Sequence, residues 1–449
     1  MLKKYELFIP VMLASTMGTL DTSIVNVALP TLTEVFSTDM SRVSWVSMAY
    51  LLVMSSFLLT SGRLGDMFGY KKPFVTGVFI FTTGTLLCGI SPSIYVLIGA
   101  RAIQAFGGSL MVAIAPAIIT TYMPPDQRGK AMGLNVFSVA VGLCLGPVLG
   151  GILVANVGWR SIFFLNFPLG IIAYKMGMAF IPEEAQINES KFDLLGTILV
   201  FCFLTSLLFY INMGNDIGWF SKLGYFLILT SFLSLGIFLF HEKKTLYPML
   251  DLKLFKNKKF TLGLFSCFIY FLAQFIMIFL TPFLLTATGY STEIIGFVMM
   301  FFPLTMVFMG PVSGTLSDRV EPNILSSLGS VFVFFSLLLI SRLQNPFSFW
   351  DIALRMALFG IGGGLFETSN AVTVIGGAPD SMRGVASGVL ATVKNMGMVF
   401  GIAISSALLA LRQDFYIPGE TSKLATILGI KDVFFIGAIV TLICIITPL

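Results

Sequence analysis

The chain has 449 residues, of which 56% are hydrophobic and only 11% charged. A soluble domain of this size has neither the interior to bury such a composition nor the polar surface to cover it, so the sequence is that of an integral membrane protein. The formal net charge of +5 comes from basic residues in the polar segments between apolar runs, where they set topology and imply no nucleic-acid partner.

The first apolar run, Tyr5 to Pro30, is long enough to cross a bilayer core, which takes about 20 residues. Asp21 lies inside this run and Glu6 at its edge. A carboxylate within a span is costly unless it meets a polar group or cavity, so Asp21 is the first candidate functional residue. Lys3 and Lys4 precede the run and no small-residue cleavage site follows a short apolar core, so the segment is expected to be retained. Further apolar runs predict about fourteen spans, centred roughly on residues 17, 53, 82, 108, 142, 170, 203, 231, 271, 305, 332, 361, 398 and 440. Lys and Arg concentrate in alternate loops on the N-terminal side, with six lysines between His241 and Lys259, so both termini are expected in the cytoplasm. His241, the only histidine, falls in that loop on this reading, leaving carboxylates as the main proton carriers within the membrane. The cysteines lie inside apolar runs without metal-ligand spacing and are expected to be free thiols.

The chain also repeats. Gly62-Arg63-Leu64-Gly65-Asp66 is echoed by Gly314-Thr315-Leu316-Ser317-Asp318, and Arg101 with Gly107-Gly108 by Arg355 with Gly362-Gly363. Arg128, Gly129, Gly133, Gly142 and Gly146 recur at a constant offset of 255 as Arg383, Gly384, Gly388, Gly397 and Gly401. The spacing predicts an N-terminal six-helix half over 1–185, two unpaired spans with a linker over 186–254, and a C-terminal six-helix half over 255–449. Parallel repeats with a substrate site between them near the midplane are one architecture of secondary transporters; a two-half channel is the alternative.

Several polar residues stand inside spans. Arg101 and Asp21 have expected depths of about 10 and 13 Å, compatible with contact if their helices adjoin. A cation there favours the ionised carboxylate and ties its protonation to conformation. Glu367 and Lys394 lie at similar depths in spans twelve and thirteen and have no charged counterpart in the first half, so they form a second candidate pair for a proton or a substrate charge. Asp21 itself falls opposite Ala273 or Gln274 in the repeat. Tyr50, Gln104, Asn135, Gln274 and Asn370 are candidates to line a substrate cavity. Asp351 and Arg355, four apart, are expected to pair locally. In the span-five run, Gly142, Gly146, Pro147, Gly150 and Gly151 give a helix that packs closely and bends. Gly62 to Lys72 is read as a loop whose glycines allow a tight turn, with Asp66, Lys71 and Lys72 as gating residues and Asp318 in the echo.

These residues resemble a known family. Gly62 to Lys72 is similar to the cytoplasmic loop signature of the major facilitator superfamily, Leu97 to Gly108 to its span-four arginine motif, and Gly142 to Gly151 to its span-five antiporter motif. Leu20 to Pro30, Gly158 to Pro168 and Phe192 to Gly196 resemble the fourteen-span drug:proton antiporter branch, although Met67 and Tyr70 stand where that loop commonly carries basic residues. The resemblance implies an all-α membrane fold of two six-helix halves related by a pseudo-two-fold, plus two extra central helices. It also implies a place for the span-five glycines at the interface between halves, limiting leak. The combined expectation is a proton-coupled antiporter exporting amphipathic, often cationic compounds by alternating access. A metabolite importer and a non-transporting receptor or scaffold are the alternatives. No phosphate-binding Gly-x-x-x-x-Gly-Lys loop occurs, so ATP hydrolysis is disfavoured and no enzyme is expected. The expected partners are a small-molecule substrate, protons and lipid. A monomer in the plasma membrane is expected, using the proton gradient and no cofactor or metal.

Overall fold

The computed structural model describes residues 6–123, 128–183, 193–245, 250, 252–317, 319–344, 348–379 and 382–446, with the side chains of Asp66, Thr120, Arg128, Gly129, Lys130 and Gly384 left out. Among the described residues it is all helical, and fourteen helices are long and apolar enough to cross a membrane. They are α1 (Phe8–Val35), α2 (Trp45–Phe68, entered through a single turn at Met40–Val43), α3 (Lys71–Gly89), α4 (Ile94–Tyr122), α5 (Arg128–Asn156), α6 (Ser161–Phe180) and α7 (Leu194–Ile217). The rest are α8 (Lys222–Lys244), α9 (Lys258–Ala287), α10 (Thr292–Ser317), α11 (Pro322–Ser341), α12 (Phe349–Gly376), α13 (Arg383–Tyr416) and α14 (Ser422–Ile446). Helices are the form that satisfies every backbone amide within one segment when no water is at hand.

The chain divides into two compact units, Met1–Cys202 with Ser234–Met249, and Phe203–Leu233 with Leu250–Leu449. The division passes through α7 and α8, the two helices outside the repeat. Inside the first unit α1 packs on α5 and α6, α3 on α4 and α6, and α2 on α4. Inside the second, α9 packs on α13 and α14, α11 on α12 and α14, and α10 on α12. The sequence repeat is therefore also a repeat of helix pairings. Small residues set the closest approaches in both. A Cβ on Gly107 of α4 would run into the Phe81 backbone of α3, and a Cβ on Gly362 of α12 would come within 2.5 Å of the Gly329 carbonyl oxygen of α11. Close backbone approach of this kind replaces the hydrophobic effect as the packing force where lipid is the solvent.

Three local expectations change. Gly62 sits inside α2, which runs on to Phe68, and the turn to α3 is made at Gly69, whose φ of 77° suits glycine. Lys71 and Lys72 open α3, and the Asp66 side chain and Asp318 lie outside what the structure describes. His241 stands in the last turn of α8 rather than in a loop, with Nε2 2.8 Å from Asp193 Oδ1 at the start of α7. Asp193 also accepts from the Gly196 amide at 2.9 Å. Asp351 and Arg355 do not hold each other: Asp351 closes a capping box with Ser348, and Arg355 donates to the Leu339 carbonyl at 2.7 Å. The unmet N–H groups at the start of α12 claim the carboxylate first.

Candidate functional site

Asp21 lies midway along α1. Arg101 and Gln104, three apart on α4, present one face toward it. Asp21 and Gln104 are 0% exposed and Arg101 1%, so the cluster is sealed. The Arg101 Nη1 donates to Asp21 Oδ2 in a short ion pair and to Gln104 Oε1 at 2.6 Å, while its Nε donates to the Val46 carbonyl at 3.1 Å. Gln104 Nε2 donates to Asp21 Oδ1 at 2.8 Å and to Thr85 Oγ1 at 2.7 Å. The guanidinium carbon lies 4.3 Å from the centre of the Tyr50 ring, a cation–π contact. Four helices, α1 to α4, thus converge on one carboxylate. Tyr50 and Gln104, expected along a substrate cavity, are both buried in this cluster.

The opposite face of α1 meets the glycines of α5. Two residues along a helix is about 200° of rotation, so Thr19 and Ser23 point away from the Asp21 side. Ser23 Oγ donates to the Gly142 carbonyl at 3.1 Å. A Cβ on Gly142 would meet Thr19, one on Gly146 would meet Ser23, and one on Gly150 would lie 2.9 Å from Ile24. Pro147 and Gly151 are buried beside them. The glycine face is therefore turned to α1 of its own unit. Thr16 Oγ1 donates to the Ser138 carbonyl at 3.1 Å and Ser15 Oγ to Asn135 Oδ1 at 2.7 Å, so Asn135 ties α5 to α1. Helix α1 carries its carboxylate on one side and packs on glycine and hydroxyl groups on the other.

The second unit holds the other charge pair. Lys394 Nζ of α13 lies 3.5 Å from Glu367 Oε2 of α12 and 5.1 Å from the centre of the Phe271 ring of α9. The side chains of Tyr270 and Gln274, one turn apart on α9, stand beside the Glu367 carboxylate. This pair is partly open, the Glu367 side chain being 17% and Lys394 28% exposed. Asn370, 3% exposed, donates from Nδ2 to the Gly263 carbonyl at 3.0 Å and holds α12 to α9. Gln274, which the repeat sets near the position of Asp21, thus shares a cluster with Glu367 and Lys394. Thr85, the Val46 carbonyl and Tyr270 escaped sequence reasoning. Only Tyr270 carried a signal, since it precedes Gln274 by one helical turn.

Fourteen apolar helices in two units of matching construction, with an ion pair inside the spans of each, define a multi-pass membrane protein built as secondary transporters are. More specifically, the chain belongs to the Major Facilitator Superfamily, whose model matches residues 11–402. It is similar to the riboflavin transporter RibZ of Clostridioides difficile (strain 630), 32% identical over 99% of this chain and 96% of that protein. It is also similar to the multidrug resistance protein Stp of Mycobacterium tuberculosis (strain CDC 1551 / Oshkosh), 28% identical over 87% of this chain and 73% of that protein. Among solved structures, the fold resembles a bacterial homolog of the human lysosomal transporter Spinster in an inward-facing, unoccupied conformation. The TM-score is 0.69 at 14% identity, covering 99% of this chain and 96% of that one. Transport, not catalysis, is the activity of the family.

Proposed function

We propose that the protein is a proton-coupled antiporter of the plasma membrane that exports amphipathic small molecules by alternating access, with both termini in the cytoplasm. The observation that carries this reading is the sealed Asp21–Arg101 pair with Gln104 bridging both partners. In a low dielectric a charge pair is held by mutual need, and neutralising one member strands the other. Protonation of Asp21 removes the charge that Arg101 answers, so the bonds between α1 and α4 weaken and the helices shift. Loss of the proton restores the pair. The glycine face of α5 gives α1 a surface on which to move. The proton gradient then supplies the energy, and no cofactor is needed. Glu367 is a second place for a proton or for substrate charge.

The test is reconstitution in liposomes with an imposed pH gradient. The wild type is expected to move at least one of a panel of lipophilic fluorescent dyes, cationic, neutral and zwitterionic, against its gradient while protons run down theirs, whereas Asp21→Asn retains dye counterflow and loses pH-driven accumulation. Unchanged pH-driven accumulation in Asp21→Asn removes Asp21 from the mechanism. A second reading rests on the match to RibZ: a carrier of metabolites resembling riboflavin, taken up rather than expelled. Riboflavin assayed in both gradient orientations separates the two. Absence of counterflow for every compound would instead favour a receptor or scaffold.

A further inference from the structure

The two ion pairs differ in how they are enclosed. Around Asp21 nothing is open: carboxylate, guanidinium and amide are fully buried and engage one another, Thr85 and the Val46 carbonyl. Around Glu367 the opposite holds. Its 3.5 Å separation from Lys394 exceeds the roughly 2.7–2.9 Å of a good charge-assisted hydrogen bond. Both side chains are partly exposed. The Gln274 side-chain oxygen, on a residue 4% exposed, makes no hydrogen bond, and the Tyr270 hydroxyl, 1% exposed, faces only the Glu367 carboxylate. Buried polar atoms seldom stay unanswered, so this cluster has capacity for a visiting donor and acceptor. Aromatic walls flank it, with Tyr270 stacked on Phe366 at 4.4 Å between ring centres and Phe271 under the Lys394 ammonium.

We infer that Glu367 and Lys394 form a binding site for an aromatic zwitterion, the ligand ammonium on Glu367, its carboxylate on Lys394 and its ring against the aromatic side chains of α9. The inference rests on the transporter reading above and names a substrate class for it. A monocation entering this pair satisfies Glu367 and leaves Lys394 without a counter-charge; a monoanion does the reverse. Either strands a charge away from bulk water. A zwitterion exchanges one loose pair for two and strands nothing. Selectivity of this kind comes from the penalty on the wrong ligand as much as from attraction for the right one. Tyr270 and Gln274 supply the remaining donor and acceptor. The sealed pair in the first unit has no entry for a ligand.

The probes are three fluorescent compounds with one ring system: Nε-dansyl-lysine, a zwitterion; its methyl ester, a cation; and its Nα-acetyl derivative, an anion. Binding to the purified full-length protein is read by dansyl fluorescence in detergent without a gradient. The zwitterion is expected to bind at least about 10-fold more tightly than either relative, a difference of about 1.4 kcal/mol. Lys394→Met should move the preference to the ester and Glu367→Gln to the acetyl compound, each by a similar factor. The double exchange Glu367→Lys with Lys394→Glu keeps both charges and should restore the preference for the zwitterion, which covers the case in which a single variant fails to fold. Equal affinities for the three probes, a uniform loss in the variants, or no binding of any probe overturns the site. A wild type that binds in the stated order yet accumulates no probe under a pH gradient refutes the export reading and leaves the site standing. One that pumps other compounds but shows no charge order refutes the site alone.

Discussion

At the residue scale, Gln104 holds the cluster together. It accepts from Arg101 and from the Cys88 thiol and donates to both Asp21 and Thr85, so one amide answers four neighbours on three helices. Gln104→Leu leaves those groups buried and short of a partner, and a loss of about 1–3 kcal/mol is expected, read as a lower thermal unfolding midpoint in detergent. Removing a member of the ion pair is expected to cost more. Arg101→Met strands the Asp21 carboxylate and should destabilise the protein by about 3–5 kcal/mol. Adding Asp21→Asn to it should recover part of that loss. A double-mutant cycle on the unfolding midpoint measures this coupling, and simple additivity would show that the two side chains do not depend on each other.

At the scale of the element, the glycines of α5 separate into those that touch α1 and those that do not. A Cβ on Gly146 would collide with Ser23, whereas one on Gly133 meets nothing within 4 Å. Gly146→Ala is therefore expected to push α1 from α5, costing about 1–3 kcal/mol and slowing transport. Gly133→Ala should hold or raise stability by up to about 1 kcal/mol through helix propensity. Gly62 belongs with Gly133, since it lies within α2 and a Cβ there also meets nothing within 4 Å. Gly62→Ala should leave the unfolding midpoint unchanged or higher. A fall would mean that this part of α2 does not remain helical. Expression level and thermal shift of the three variants check the contrast.

At the scale of the whole molecule, the repeat of pairings gives each unit the same frame but a different use of charge. The first unit buries its pair beneath four helices, and the second leaves its pair partly open on α12 and α13. The polar ends of the spans also differ in charge. Lys243 and Lys244 in the last turn of α8 cluster with Lys253 and Lys256 beyond it, while Trp159 and Trp219 mark connections at other ends. Basic residues favour the cytoplasmic side and tryptophans the interfaces. A cysteine placed at Lys256 is expected to react with an impermeant maleimide only after cells are opened, and one at Gly419 to react in intact cells. The reverse pattern would invert the topology and with it the direction of the proposed export.

From the sequence by itself came the membrane class, the number of spans, the offset of 255 between the halves and the identity of the charged residues that stand inside spans. Each of these rests on composition, run length or a linear interval, which the chain carries without folding. Contacts were another matter. In lipid a helix is apolar on every side, so the periodicity that marks the inner face of a soluble helix is faint. Asp21 and Arg101 were legible as charges needing partners, but Gln104 between them, Thr85 behind it and Tyr270 beside Glu367 were not. Helix ends likewise differed: Gly62 and His241 looked like loop residues, yet the helices run on to Phe68 and Lys244, because backbone hydrogen bonding does not stop at a glycine or a polar side chain. What only the tertiary structure decided is that one pair is sealed and the other open, because enclosure depends on residues from helices that are remote in the chain and adjacent only once packed.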